Sequence, residues 1–303
     1  MEVKTLLRYP GGKSKAYKKI TKHLPYGIDK IISPFIGGGS LEVRWSGNGY
    51  QVIGFDIFWH LVNFWNQLLT NKDELIYELS KLEVNKTRYN EIKEILLCWD
   101  KTQELFIGYK TDYYKRKPIT LSDTKGAAYY YYNFQLSYGP MFLGWFSSNY
   151  TQNKYNTMLQ KMKSFNAPNI SVYNDTFENV MEIYNNDFLY LDPPYILTSD
   201  VEDEDNKMFK GIYPNSNFDF HHTGFDHKLL RDMLYKHKGP FVLSYNNCKT
   251  IREWYKDFDI YYPEWSYSFG NGETRIGKNR SDNNILKKSH EILIVKNDNN
   301  PFF

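Results

Sequence analysis

A chain of 303 residues, 41% hydrophobic and 24% charged, has a globular composition and room for one large domain or two smaller ones. It holds no apolar run near the roughly 18 residues of a membrane span, and residues 1–8 lack the apolar centre of a secretion signal, so neither a membrane nor a secreted protein is expected. Its two cysteines, Cys98 and Cys248, argue against a disulfide framework or a zinc site and for a cytoplasmic chain, while the net charge of +3 is too small to identify a nucleic-acid partner by itself.

The chain opens on Arg8-Tyr9-Pro10-Gly11-Gly12-Lys13, a turn that runs into a basic stretch holding Lys15, Lys18, Lys19 and Lys22. Residues 30–34 read as a short strand leading into Phe35-Ile36-Gly37-Gly38-Gly39-Ser40, with a helix from about residue 41. A second strand, 51–55, ends at Asp56, and helical patterning covers 61–69 and 72–82. Residues 83–165 break the rhythm. They mix helix signal (89–99, 127–134) with a basic, aromatic, hairpin-like stretch (106–120) and a Gly- and Asn-rich segment reaching residue 156. Strand signals return at 170–173, 188–191, 240–244 and 291–295, with a helical pattern at 225–237. Strands alternating with helices predict an α/β fold, a mostly parallel sheet covered on both faces, with 83–165 inserted into it.

The glycine triplet follows a strand and precedes a helix, where backbone N–H groups can approach a ligand closely. It is not a P-loop, because no Gly-Lys-Ser/Thr follows, and it lacks the spaced glycines of the dinucleotide fingerprint. A tight turn without ligand is the bland alternative. Asp56, 17 positions after Gly39, ends the next strand, where a carboxylate can accept from ribose hydroxyls or simply cap a helix. Asp175 and Phe177, after the strand at 170–173, pair an acceptor with an aromatic ring suited to an adenine, or else a helix cap with a core residue. Tyr9 can stack on a cofactor and Lys13 can meet its carboxylate.

The richest motif is Asp192-Pro193-Pro194-Tyr195, at the end of an apolar strand. Two prolines stop the strand and stiffen the corner. The corner can offer a carboxylate from Asp192, a carbonyl from Pro193 and an aromatic face from Tyr195. That trio suits the exocyclic amine of a flat base, although a plain strand-exit turn uses the same residues. Three basic clusters, around Lys13–Lys22, at Lys110, Lys115, Arg116 and Lys117, and at Arg275, Lys278, Arg280, Lys287 and Lys288, suit a phosphate backbone or are solvated surface. His221-His222 lacks partners at metal spacing, so no metal is expected.

These motifs, in this order, resemble the Dam-type N6-adenine DNA methyltransferases of the α group. The resemblance also takes in Phe241-Val242-Leu243-Ser244-Tyr245-Asn246-Asn247 and spans nearly the whole chain. The family often has Trp where Tyr9 stands and Gly-Ala-Gly where Gly37 to Gly39 stand. The resemblance implies a Rossmann-like methyltransferase sheet (residues 1–82 and 166–303) with an inserted, mainly helical target-recognition domain (83–165). It implies S-adenosylmethionine as methyl donor, bound by Tyr9, Lys13, Phe35, Gly37, Gly39, Asp56, Asp175 and Phe177. It implies an adenine flipped out of duplex DNA as acceptor, with Asp192, Pro193 and Tyr195 catalytic. Lys110, Arg116, Lys117, Asn133 and Tyr138 are the expected DNA contacts, Arg and Asn suiting guanine and adenine edges. A short palindromic site, a separately acting restriction endonuclease, and a monomer or weak dimer belong to the same expectation. A cytosine-N4 or RNA amino-methyltransferase, a silent DNA-binding relative and a small-molecule methyltransferase are the rival readings.

Overall fold

The computed structural model describes residues 3–105, 116–139, 141–196, 225–263, 265 and 291–297. A seven-stranded sheet is its frame: β1 (Lys30–Ser33), β2 (Gln51–Asp56), β3 (Ile170–Asn174), β4 (Leu189–Leu191), β5 (Phe241–Asn246), β6 (Asp259–Tyr261) and β7 (Glu291–Lys296). The spatial order is β3-β2-β1-β4-β5-β7-β6. The first five strands run parallel, and β7 runs antiparallel between β5 and β6. β4, β5 and all but the last residue of β7 are buried, as a sheet covered on both faces requires.

The period-2 alternation of strand side chains separates two cores. Ile32, Leu189, Leu191, Leu243 and Ile294 face one layer, built from α9 (Phe177–Ile183), α10 (His227–Lys236) and α11 (Lys249–Trp254). Ile31, Val52, Tyr190, Val242 and Leu293 face the other, with a 3₁₀ turn (Ser14–Ala16), α1 (Tyr17–Thr21) and Trp45 of α2 (Glu42–Gly47). Here the sheet matches the sequence expectation, except that α9, α11 and β6 carry too few periodic residues to stand out.

A third core joins α3 (Trp59–Thr70) and α4 (Lys72–Ser80) to the inserted block. The block is helical: α5 (Lys86–Cys98), α6 (Asp100–Glu104), α7 (Asp123–Leu136) and α8 (Gln152–Lys163). Side chains at Asn85, Ser122 and Thr151 cap α5, α7 and α8 by accepting from backbone N–H groups. That Thr151 cap starts α8 inside the segment expected to be irregular up to residue 156. Every residue of α7 from Gly126 to Leu136 is buried, which marks a helix surrounded on all sides. It packs on α3, α4 and α5. The block therefore has no core of its own; it shares one with α3 and α4. Of the expected hairpin-like stretch, 106–115 and with it Lys110 lie outside the described residues; Ile119, at its end, bridges to Trp99.

Gly126 shows how tightly α7 is enclosed, because a Cβ there would overlap the Trp99 indole. Alanine is the better helix former by about 1 kcal/mol. Overpacking a closed core costs about 1–3 kcal/mol. The clash should win: Gly126→Ala is expected to lower stability in urea or thermal unfolding, and a variant more stable than the parent would show that α7 is loosely held.

Candidate active site

In a doubly wound sheet, ligands bind beyond the carboxyl ends of the strands where the order reverses. Here that point lies between β1 and β4, whose partners are β2 and β5 on either side. The glycine loop leaves β1 and the Asp192 corner leaves β4, so the two motifs emerge side by side, with Ile32 paired to Leu189.

The glycine loop is fixed by its neighbours. Gly37 and Gly39 have φ of 47° and 61°, a region glycine enters without Cβ strain. A Cβ on Gly38 would overlap Tyr9, so the N-terminal motif lies directly on the loop. The Trp65 indole donates to the Gly37 carbonyl at 3.0 Å. A cleft of about 220 Å³ opens beside the loop, lined by Arg8, Tyr9, Gly12, Gly38 and Ser40 among others. Tyr9 itself stacks on Phe134 of α7, with ring centroids 5.5 Å apart.

Asp56 ends β2 and accepts from the Gly37 N–H (3.1 Å) and the Phe58 N–H (2.9 Å). Burial nevertheless pushes its carboxyl up to about 6, and the two N–H groups pull only partly against that. A desolvated carboxylate with unused lone pairs is a strong acceptor for an arriving hydroxyl. Phe35 and Phe177 lie 5.7 Å apart, and Phe225 contacts both, which makes a small aromatic wall beyond β1 and β3. Asp175 uses one oxygen on the Thr176 N–H (2.8 Å) and the Asn179 amide (2.9 Å), so it organises the start of α9.

At the corner, Lys13 is the dominant partner. Its ammonium donates to both Asp192 oxygens (2.9 and 2.8 Å) and to the Gly11 carbonyl (2.9 Å) while only 2% exposed. The Lys13 backbone N–H donates to Ser40 Oγ at 2.8 Å, tying the N-terminal turn to the end of the glycine loop. Lys13 was expected at the cofactor, and the structure places its ammonium on the Asp192 carboxylate. Burial raises the Asp192 carboxyl, and the Lys13 charge and hydrogen bonds draw it back down. The Tyr195 hydroxyl donates to Asp192 Oδ1 at 3.4 Å. Its ring, 3% exposed, has the Lys13 ammonium 5.2 Å from its centroid and Tyr245 stacked at 6.0 Å. The expected open aromatic face is therefore covered in this state.

The expected DNA contacts separate. Asn133 is fully buried and its Oδ1 accepts from the Leu143 N–H at 2.6 Å, so it shapes the loop after α7. Arg116 is paired with Glu94 of α5. Lys117 is exposed, and Tyr138 is 51% exposed on the loop between α7 and α8. That loop is braced by Tyr138 N–H to Trp145 carbonyl (2.6 Å) and Ser147 N–H to Leu136 carbonyl (2.9 Å). It presents Trp145 at 80% exposure, with Lys93 over the ring.

Two residues at the corner escaped the sequence. Glu42 is buried on α2, its Oε1 accepting from Ser33 Oγ at 2.9 Å, and burial lifts it to about 7. Glu291 heads β7, 3.7 Å from Lys13 Nζ, and burial lifts it to about 7 as well. The signal for Glu291 was a lone acid at the head of an otherwise apolar strand, a position where an unpaired charge is not left. Among the described residues, no group of three or more His, Cys, Asp or Glu side chains is arranged to hold a metal. No described helix is long and apolar enough to cross a membrane.

Comparison with known proteins bears on this geometry. A family model for D12 class N6 adenine-specific DNA methyltransferases matches residues 9–269. The chain is 25% identical to the type II methyltransferase M.FokI of Planomicrobium okeanokoites, over 98% of this chain and 43% of that protein. It is 24% identical to the modification methylase StsI of Streptococcus sanguinis, over 99% of this chain and 44% of the other. It thus spans less than half the length of these two relatives. With the type II methyltransferase M1.LlaDCHI of Lactococcus lactis subsp. cremoris it shares 24% identity, over 92% of this chain and 93% of that one. The match takes in the N-terminal turn, the glycine loop, Asp56 and the Asp192 corner together, and on that extent the chain belongs to the D12 class N6 adenine-specific DNA methyltransferase family.

Proposed function

We propose that this chain methylates the N6 amine of adenine in a short site on duplex DNA, using S-adenosylmethionine, as the modification half of a restriction–modification system with a separately acting endonuclease. The observation that carries this is the placement of Asp192 at the switch point, beside the glycine loop and one strand from Asp56. The residues present fit the cofactor: a desolvated Asp56 carboxylate can accept ribose hydroxyls, and Phe35 and Phe177 form an apolar wall for a purine. Gly37 and Gly39 let the main chain approach closely. When bound, S-adenosylmethionine supplies an electrophilic methyl group on a sulfonium.

The chain's own part is to make a poor nucleophile attack. The N6 lone pair is delocalised into the purine ring. Asp192 and the Pro193 carbonyl, by accepting the two N–H bonds, favour a pyramidal nitrogen whose lone pair points at the methyl. Direct displacement needs no covalent enzyme intermediate, so positioning and electrostatics supply the acceleration. The helical block of residues 83–165 reads the DNA in this proposal, with Tyr138, Trp145 and Lys117 on its exposed side and Arg8 at its junction with the glycine loop.

The test is to incubate the protein with S-adenosylmethionine and unmethylated genomic DNA and map modified bases by single-molecule sequencing. N6-methyladenine confined to one short motif is expected; N4-methylcytosine would move the substrate. Asp192→Ala should reduce turnover by roughly 10²- to 10³-fold, the scale on which removal of an electrostatic catalytic group is felt, while cofactor binding measured by calorimetry survives. An active Asp192→Ala protein would refute the assignment. Asp56→Asn should weaken cofactor binding by roughly ten- to a hundredfold, the worth of a hydrogen bond to a charged group. Because the Asp56 carboxyl sits at about 6 in the unliganded protein, wild-type affinity should fall as pH drops below that value. The Asn variant should show no such fall, and identical pH profiles for the two would show that Asp56 does not hold the ribose.

A further inference from the structure

In this structure the two groups the target adenine needs are occupied by one ammonium. Lys13 Nζ holds both Asp192 oxygens and lies against the Tyr195 ring. An amine arriving at Asp192 meets that cation, and a base arriving at Tyr195 meets it too. For methylation to proceed, the ammonium needs another anionic seat nearby.

Glu291 offers one. Its Oε1 is 3.7 Å from Lys13 Nζ, within ion-pair range and longer than a hydrogen bond. That oxygen is buried and makes no close hydrogen bond, although the Lys13 ammonium and the Tyr195 hydroxyl both approach the carboxylate. The other oxygen lies 3.5 Å from Ser244 Oγ, a limiting distance. Buried polar atoms without a close hydrogen bond are rare in folded proteins, and here three gather: Glu291 Oε1, Asn246 Oδ1 and the Tyr190 hydroxyl. Asn246 is the cross-strand partner of Glu291, so the carboxylate is anchored where β7 pairs with the central strand β5. Lysine, on a flexible four-carbon stem, is the side that moves. Closing 3.7 Å to a charge-assisted bond of about 2.8 Å takes a shift of about 1 Å.

We propose that Glu291 is a positioning residue: on entry of the target adenine, the Lys13 ammonium passes from Asp192 to Glu291, releasing the Asp192 carboxylate to the amine and uncovering the Tyr195 ring, a role that rests on the methyltransferase reading above. The charged and titratable groups around Glu291 are Lys13 from the N-terminal turn, the Tyr195 hydroxyl, Asp192 just after β4 and Tyr190 of β4, with Glu42 of α2 facing Asp192 and Tyr190. Burial holds the Glu291 carboxyl at about 7, so its charge turns on in the neutral range. Only the ionised form draws the ammonium across. Methyl transfer therefore rises with pH through that range and levels off above it.

The experiment is single-turnover methyl transfer from S-adenosylmethionine to duplex DNA across about pH 5.5 to 9, with wild type, Glu291→Gln and Glu291→Asp. Glu291→Gln keeps the shape and removes the charge. Its rate should fall roughly ten- to a hundredfold, as expected for one charge at a partly screened pair, and lose the rise near neutrality. Its affinity for S-adenosylmethionine should stay within about twofold of wild type, a split that a general loss of structure would not produce. Glu291→Asp should retain the rise. Wild-type rate and profile in Glu291→Gln would overturn the role of Glu291 and leave the methyltransferase function standing. A wild-type protein that methylates no DNA would remove both. Should Glu291→Gln lose its thermal transition, Glu291→Asp carries the test, and a flat profile there overturns the proposal.

Discussion

A carboxylate that must stay ionised at the buried end of a strand governs the rest of this site. Pro193 and Pro194 end β4 abruptly, which leaves Asp192 half-buried at the switch point. Burial raises its carboxyl, and a protonated Asp192 would give up much of its acceptor strength toward an amine. Lys13 supplies the counter-charge. For Lys13 to reach β4, the N-terminal segment must fold back across the glycine loop, which accounts for the turn at Gly11, the Lys13–Ser40 bond and the contact of Tyr9 with Gly38. The N-terminal motif, the glycine loop and the corner, far apart in sequence, thus act as one electrostatic unit.

The same segment ties that unit to the helical block. Tyr9 stacks on Phe134, and the Arg8 N–H donates to Gln135 Oε1 at 3.3 Å, both near the end of α7. From that end springs the braced loop that presents Tyr138 and Trp145. Since α7 shares a core with α3, and α3 holds the Gly37 carbonyl through Trp65, the loop and the glycine turn are positioned by the same packed helices. A loop built this way is held at a fixed distance from the glycine turn.

The frame was legible wherever a strand is buried on both faces, because continuous apolar runs such as Phe188 to Leu191 leave few other readings. Asp56, the glycine triplet and the Asp192 corner were legible because special backbone and charge at strand ends are rare. What the sequence hid is what depends on tertiary partners. Asn133 looked like a base reader because its residue type suits adenine, yet its neighbours on α7 bury it. Arg116 looked free to reach DNA, and Glu94 holds it. The Lys13–Asp192 pair was hidden, because no pattern in sequence brings residue 13 to residue 192. Short elements such as β6 and α11 contain too few residues for a period to be read.

Buried carboxyls make the stability of this chain depend on pH. Glu42 and Glu291 each sit at about 7 in the folded chain against an ordinary 4.5, and Asp56 at about 6 against 3.8, all raised by burial. A carboxyl raised on folding binds its proton more tightly in the native state. Its stabilising contribution is complete below the unfolded value and is lost as pH rises through the folded one. Buried His60, lowered to about 3, works in the opposite sense as pH falls below its ordinary 6.5. Three carboxyls outweigh one imidazole, so thermal unfolding of the unliganded protein should show a higher midpoint at pH 6 than at pH 8. Glu42→Gln, which removes one of the three, should flatten that trend, and a midpoint that climbs with pH would mean the carboxylates are hydrated rather than buried. Burial raises Asp192 as well, and there the Lys13 charge and hydrogen bonds draw the carboxyl back down. The carboxyls raised by burial and the cation that offsets burial at Asp192 are thus enclosed by the same three layers of core around one sheet.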